Sequence, residues 1–208
     1  MTAKFITLEG GEGAGKTTCL KHIENRLKEA GVDLCVTREP GGTRTGEKIR
    51  EILLDRGNFD ILDDTELLLM FAARAQHLNE LIRPALAADT WVLCDRFTDA
   101  TYAYQGGGRE IALQRIAELE HWVQQGLKPD LTLLLDLPVE VGLERAGQRS
   151  TPDRFESENI AFMQRMRSSY LDIASQEPER VKVIDSSQAL ENVLLQIDDV
   201  LKDVLSAT

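Results

Sequence analysis

The residues with the clearest chemical spacing lie near the start of the chain. Gly10-Gly11-Glu12-Gly13-Ala14-Gly15-Lys16-Thr17 fits G-x-x-x-x-G-K-[ST]. Glycines in such a loop let the backbone curl so that several N–H groups point at one phosphate. The helix that follows adds the partial positive charge of its N-terminus. Lys16 can reach the β- and γ-phosphates, and the Thr17 hydroxyl suits Mg²⁺. A chance match in a chain of this length is on the order of one in a hundred. The loop therefore points to a nucleoside triphosphate, but not to its fate, because GTPases, motor ATPases and small-molecule kinases share it. No Asn-Lys-x-Asp string for guanine occurs, and 208 residues are few for an ATPase machine. A kinase for a small acceptor fits best.

A second set of residues suits a second anion. Arg38-Glu39-Pro40-Gly41-Gly42 and Asp95-Arg96 follow apolar runs. Phe71 and Arg74, three apart, share one helix face. Tyr102 and Tyr104 precede Gln105-Gly106-Gly107-Gly108-Arg109. The planar fork of arginine donates two hydrogen bonds to phosphate at once. An aromatic beside an arginine, with Gln and Thr nearby, is what a base pocket requires. The bland readings are an ion pair for Arg96, core packing for Phe71 and a flexible turn for Gly106–Gly108. His22, His77 and His121 show no partner pattern.

Alternating elements must carry these groups. Short apolar runs at 5–9, 34–37, 91–94, 131–135 and 181–184 read as buried strands. Helical patterns fill 16–30, 46–56, 63–88 (with Pro84 as a kink or split), 114–125, 139–146, 156–175 and the stripe from Leu190 to Leu205. This order predicts an α/β fold, a five-stranded parallel sheet with helices on both faces. Ligands in such sheets gather at the carboxyl ends of the strands. The chain reads as one domain over 1–208, and the polar stretch 146–153 is the one candidate flap.

Composition sets limits. The formal charge of −11 argues against a general nucleic-acid or anionic-membrane binder. The longest apolar run, Leu67–Ala73, is far shorter than the roughly 18 residues of a membrane span. No signal peptide is visible, and Cys19, Cys35 and Cys94 have no metal-like spacing, so a cytoplasmic protein is expected.

Together these strings resemble bacterial thymidylate kinase, a P-loop nucleoside monophosphate kinase family. The matching strings are Leu8-Glu9-Gly10-Gly11-Glu12-Gly13-Ala14-Gly15-Lys16-Thr17-Thr18, Thr37–Thr43, Phe71-Ala72-Ala73-Arg74, Asp95-Arg96-Phe97, Tyr102–Arg109 and Pro129-Asp130-Leu131-Thr132. The resemblance implies transfer of the ATP γ-phosphoryl group to dTMP, with Mg²⁺, in a cytoplasmic homodimer formed around Leu67–Leu86, and a lid at about 145–156. It implies an ATP site at Gly10–Thr18 and Mg²⁺ near Thr17 and Asp95. Arg96 falls to the acceptor phosphate, Arg74 to the thymine edge and Glu12 to the 3′-hydroxyl. Thr101 and Gln105 line the base and sugar, Tyr104 disfavours a ribose 2′-hydroxyl, Arg50 lies near the acceptor phosphate, and Arg38 and Glu39 belong to the dTMP site. The stacking position falls on Met70, with Phe71 beside it, and either could face the base. Some members carry an arginine where Gly13 stands. Those lacking it carry basic residues in the lid, here Arg145, Arg149 and Arg154, of which Arg149 is the choice.

The chemistry expected is electrostatic. A phosphate monoester is already largely anionic at pH 7, its second pKa being about 6, so no general base is needed. Lys16, Arg96, Arg149 and Mg²⁺ must instead offset the repulsion between two phosphates, with Asp95 and Glu12 completing the catalytic set. The rivals are a P-loop kinase for another nucleoside monophosphate and a non-catalytic nucleotide-binding protein.

Overall fold

Residues 2–57, 60–147, 154–155 and 157–206 are described in a computed structural model. Five parallel strands, β1 (Phe5–Gly10), β2 (Leu34–Arg38), β3 (Trp91–Asp95), β4 (Leu131–Asp136) and β5 (Val181–Asp185), form one sheet in the order β2-β3-β1-β4-β5. β1 is thus central, and the loop after it opens where the chain leaves the sheet's middle. Each strand runs one residue past its apolar stretch, so Arg38, Asp95, Asp136 and Asp185 are the last paired residues rather than loop residues.

The pleat sorts β1 by parity. Ile6 and Leu8 join Cys19, Ile23 and Leu27 of α1 (Lys16–Glu29) and Val193, Ile197 and Leu201 of the C-terminal helix in one core. Phe5, Thr7 and Glu9 face the other side, where Phe5 packs on Phe97 and Thr7 hydrogen-bonds Thr132. That parity is why Glu9 is fully buried.

The remaining helices place the site. α2 (Arg44–Leu54) begins two residues before the expected Gly46 because the Thr43 hydroxyl caps it, accepting from Gly46 N–H. The long helix expected over 63–88 is three pieces. α3 (Asp63–His77) passes through a π-helical turn (Leu78–Ile82) into α4 (Arg83–Ala87). Pro84 lacks an N–H and crowds the carbonyl one turn earlier, and the widened turn accommodates it.

α5 (Thr98–Thr101) continues as a second π-helical segment, Tyr102–Gly108, where a flexible turn was the rival reading. Its glycines are packing positions. A Cβ on Gly107 would lie 2.8 Å from Ser169 Cβ, and one on Gly108 would run into the Phe162 ring. Both contacts belong to α8 (Ile160–Gln176), which starts later than the expected 156 because Asn159 caps it. α6 (Leu113–Gln124), α7 (Val139–Gly147) and α9 (Leu190–Ser206) complete the two helical layers.

Candidate active site

A cavity of about 270 Å³ opens at the carboxyl ends of β1, β2 and β3. Its walls include the loop from Glu12 to Thr17, then Glu39, Arg50, Met70, Arg74, Asp95, Arg96, Thr101, Tyr104 and Gln105. Sequence motifs from five separate segments thus converge on one space.

The phosphate loop runs from β1 into α1, whose N-terminal residue Gly15 is left-handed and offers no capping side chain. The first-turn N–H groups are therefore not covered by a side chain. Lys16 Nζ donates to the carbonyls of Gly10 and Gly11. Burial and then the charge of Arg96 push the Lys16 ammonium below its usual range, against Glu12, Asp95 and Glu9. Gly13 sits at φ 69°, and a Cβ there would run into the Gly142 carbonyl of α7. An arginine at this position is thus excluded by backbone as well as by sequence.

Arg96 is the electrostatic centre. Its backbone is left-handed at φ 67°, which a non-glycine residue adopts only when its neighbours fix it. Two contacts do so: Arg96 N–H donates to the Leu8 carbonyl and Phe97 N–H to Glu9 Oε1. The guanidinium lies 4.8 Å from the Tyr104 ring centroid and donates to Glu12 Oε1 at 3.0 Å, which Tyr104 OH also reaches. Burial acts to lower its pKa, but Tyr104, Tyr170, Glu12 and Asp95 outweigh this and hold it above the usual range. Arg50 donates to the Pro40 carbonyl, and burial, then Arg38, lower its pKa, with Arg96 adding to the effect. Arg96 thus acts on both Lys16 and Arg50, and an anion brought among these cations would be stabilised by all three.

The base-sized end is built around Arg74. It is 2% exposed; Nε donates to Glu39 Oε2 at 2.7 Å and Nη2 to Thr101 Oγ1 at 2.9 Å and to the Phe97 carbonyl. Its Nη1 is buried with no hydrogen-bond partner among the described residues. Arg74 itself lines the cavity, so a ligand acceptor brought to this edge would match the spare donor.

The thymidylate kinase family model matches residues 8–197. The chain belongs to the thymidylate kinase family. It is 57% identical over 207 residues to the thymidylate kinase of Ectopseudomonas mendocina (strain ymp), covering 100% of this chain and 99% of that protein. To that of Pseudomonas putida (strain GB-1) it is 56% identical over 205 residues, covering 99% and 98%. Its fold is similar to the crystal structure of thymidylate kinase from Ehrlichia chaffeensis, with TM-score 0.79, 32% identity and coverage of 97% and 99%.

Against the roles implied by the thymidylate kinase resemblance, several residues stand differently. Phe71 does not line the cavity. It is core, packed with Leu67, Ile111 and Ile116, and its ring lies 4.8 Å from the Arg74 guanidinium. Met70 lines the wall instead. Arg38 is exposed, pairs with Glu47 and is not on the wall. Glu39 reaches the cavity, but both oxygens are taken, by Arg74 and His77. Thr18 is exposed on α1, while Gly10 and Gly11 lie behind the wall with their carbonyls turned to Lys16. Of the lid arginines, Arg145 donates to the carbonyls of Ser186 and Ser187, and Arg154 to Glu66 and the Leu53 carbonyl. Arg149 and most of the lid lie outside the described residues.

Four supporting residues were not foreseen. Glu66, fully buried on α3, collects Gln105, Arg109 and Arg154. Tyr170 of α8 reaches both Glu9 and Arg96. Glu9 stands inside a motif string that gives it no role, and His77 has no partner pattern in the sequence. Their partners lie 38 to 161 residues away, so no local pattern announces them.

Proposed function

We propose that this chain transfers the γ-phosphoryl group of ATP to dTMP, giving dTDP and ADP for dTTP synthesis. Membership of the thymidylate kinase family supports the reaction. The observation that carries the substrate assignment is the Arg74 end of the cavity. One unmatched buried donor there, beside Met70, Thr101 and Gln105, suits a base carbonyl flanked by an apolar face.

In this reading the loop Gly10–Thr18 holds the ATP phosphates, with Lys16 on the β- and γ-groups. Arg96 and Arg50 hold the acceptor phosphate at the other end of the cation cluster. A unit charge pair 4 Å apart is worth about 4 kcal/mol at an effective dielectric near 20, so each cation offsets a substantial part of the repulsion between two phosphates. Glu12 fixes Arg96 and lies where a sugar hydroxyl can donate to it. Tyr104 donates to Glu12 and sets its ring against the Arg96 guanidinium. Gln105 is oriented by Glu66 toward the base.

Asp95 and Thr17 suit Mg²⁺. Both line the cavity, and Asp95 Oδ1 is buried with no hydrogen-bond partner among the described residues. When bound there, Mg²⁺ would supply positive charge to offset that of the phosphates. Arg149 is assigned the remaining cation, delivered by the segment at about 145–156, which also excludes water from the transfer.

A homodimer through α3 is part of the same proposal; Leu68 on this helix is 57% exposed despite its apolar side chain. Sedimentation at micromolar concentration tests it, a 23 kDa species opposing it. No described helix is long and apolar enough to cross a membrane, in keeping with a cytoplasmic assignment. The test of the reaction is transfer of labelled γ-phosphate from ATP. Label on dTDP supports it, while label only on inorganic phosphate opposes it.

A further inference from the structure

The base-reading arginine is held by a chain of hydrogen bonds that begins outside the cavity. Thr37 Oγ1 lies 2.7 Å from His77 Nε2, His77 Nδ1 lies 2.9 Å from Glu39 Oε1, and Glu39 Oε2 accepts from Arg74 Nε at 2.7 Å. Arg74 then reaches Thr101. The chain ties β2, α3, the loop after β2 and α5 together.

Direction follows from the acceptors. A carboxylate can only accept, so Nδ1 carries a proton and donates to Glu39. His77 and Arg74 lie three apart on α3 and share its buried face, with exposures of 0% and 2%. Among the described residues Glu39 Oε1 has no second hydrogen-bond partner. Without His77 that oxygen would be buried and unmatched, and the carboxylate would turn toward another donor. Arg74 would lose the partner on its Nε edge, leaving only the two Nη2 acceptors, Thr101 and the Phe97 carbonyl, to set the direction of Nη1.

The loop after β2 is shaped around the same imidazole. Gly42 has φ 76°, and a Cβ there would lie 2.5 Å from His77 Nε2 and 2.6 Å from Thr37 Oγ1. The loop thus approaches the His77–Thr37 pair as closely as a backbone can.

We infer that His77 is a positioning residue for base recognition: through Glu39 it fixes the guanidinium of Arg74, and so sets the affinity for the monophosphate substrate without touching it. This rests on the dTMP kinase reading above. It differs from a merely space-filling role in being specific to one substrate and one ring nitrogen.

The test compares His77→Asn, His77→Gln and His77→Leu with the wild type in steady-state assays, varying dTMP at saturating ATP and the reverse. The Asn amide nitrogen falls near Nδ1 and keeps the donor to Glu39; the Gln amide falls nearer Nε2 and loses it. His77→Gln and His77→Leu are expected to raise the KM for dTMP about tenfold, equivalent to about 1.4 kcal/mol. The KM for ATP should be unchanged and kcat within about threefold, while His77→Asn stays within about threefold of the wild type in every constant. Thermal melts report folding, and the Asn–Gln contrast stands should the Leu variant fail to fold. An unchanged KM for dTMP in the Gln variant, equal increases for Asn and Gln, or a parallel rise in both KM values would overturn the inference. A wild type with no dTMP-dependent turnover would overturn the functional reading, and this inference with it.

Discussion

Replacing Glu9 with Gln should change how stability depends on pH, by an amount the structure sets. Glu9 is fully buried, with Oε1 accepting from Phe97 N–H at 2.7 Å and Oε2 from Tyr170 OH at 2.8 Å. Burial, then the negative charge of Asp99, raise its carboxyl from 4.5 to about 8; Arg96, Tyr170 and the Phe97 N–H oppose this and fall short. Below pH 4.5 the group is neutral in the folded and unfolded chains alike, and its full contribution to stability is present. As pH rises the unfolded chain ionises first. Stability is lost until the folded carboxyl ionises near 8, at no more than about 1.4 kcal/mol per pH unit. Across this interval the loss is on the order of 5 kcal/mol. Gln does not titrate, and any cost of turning its amide toward Tyr170 is the same at every pH. Urea unfolding of both proteins between pH 4.5 and 8.5 is the assay. The difference (variant minus wild type) should grow by several kcal/mol between pH 5 and 8 and then level off. A difference constant to within about 0.5 kcal/mol, or one that shrinks as pH rises, would refute the placement of Glu9 as a neutral buried acid.

Arg96→Ala should weaken dTMP binding tenfold or more in calorimetry, because it removes the central cation and one of the donors to Glu12; unchanged affinity would remove Arg96 from the acceptor site. Arg149→Ala should lower kcat by about 10³-fold with little change in dTMP affinity, as loss of a transition-state cation does; near-normal turnover would exclude it. Gly108→Ala should cost about 1–3 kcal/mol, read as a lowered Tm, because the new Cβ meets the Phe162 ring. An unchanged Tm would mean that the contact of the Tyr102–Gly108 segment with α8 is looser than described.

The strands were legible because continuous apolar runs bounded by polar residues leave little choice in a two-sided sheet. Their last residues were not, since Arg38 and Asp95 are polar, yet their backbones still pair in the sheet. The Tyr102–Gly108 segment was obscured by its composition. Three glycines read locally as a turn, and only α8, some sixty residues later, makes them a packing surface. The same limit divides the site. Motif spacing identified Lys16, Asp95, Arg96 and Arg74, all of which reach the cavity. It could not choose between Met70 and Phe71, neighbours on one helix. Burial against Leu67, Ile111 and Ile116 makes that choice, and it depends on α6. The anchors Glu66, His77 and Tyr170 were invisible because a buried polar pair has meaning only once both partners are placed.

The central claim is that this cavity recognises dTMP and passes it the γ-phosphoryl group of ATP. The most direct measurement is ADP release by the purified chain with Mg²⁺ and ATP, run against dTMP, dCMP, dAMP and dGMP. The highest kcat/KM is expected with dTMP, with no appreciable release without a monophosphate. A higher kcat/KM for any of the other three, or ADP release indifferent to the monophosphate, would contradict it.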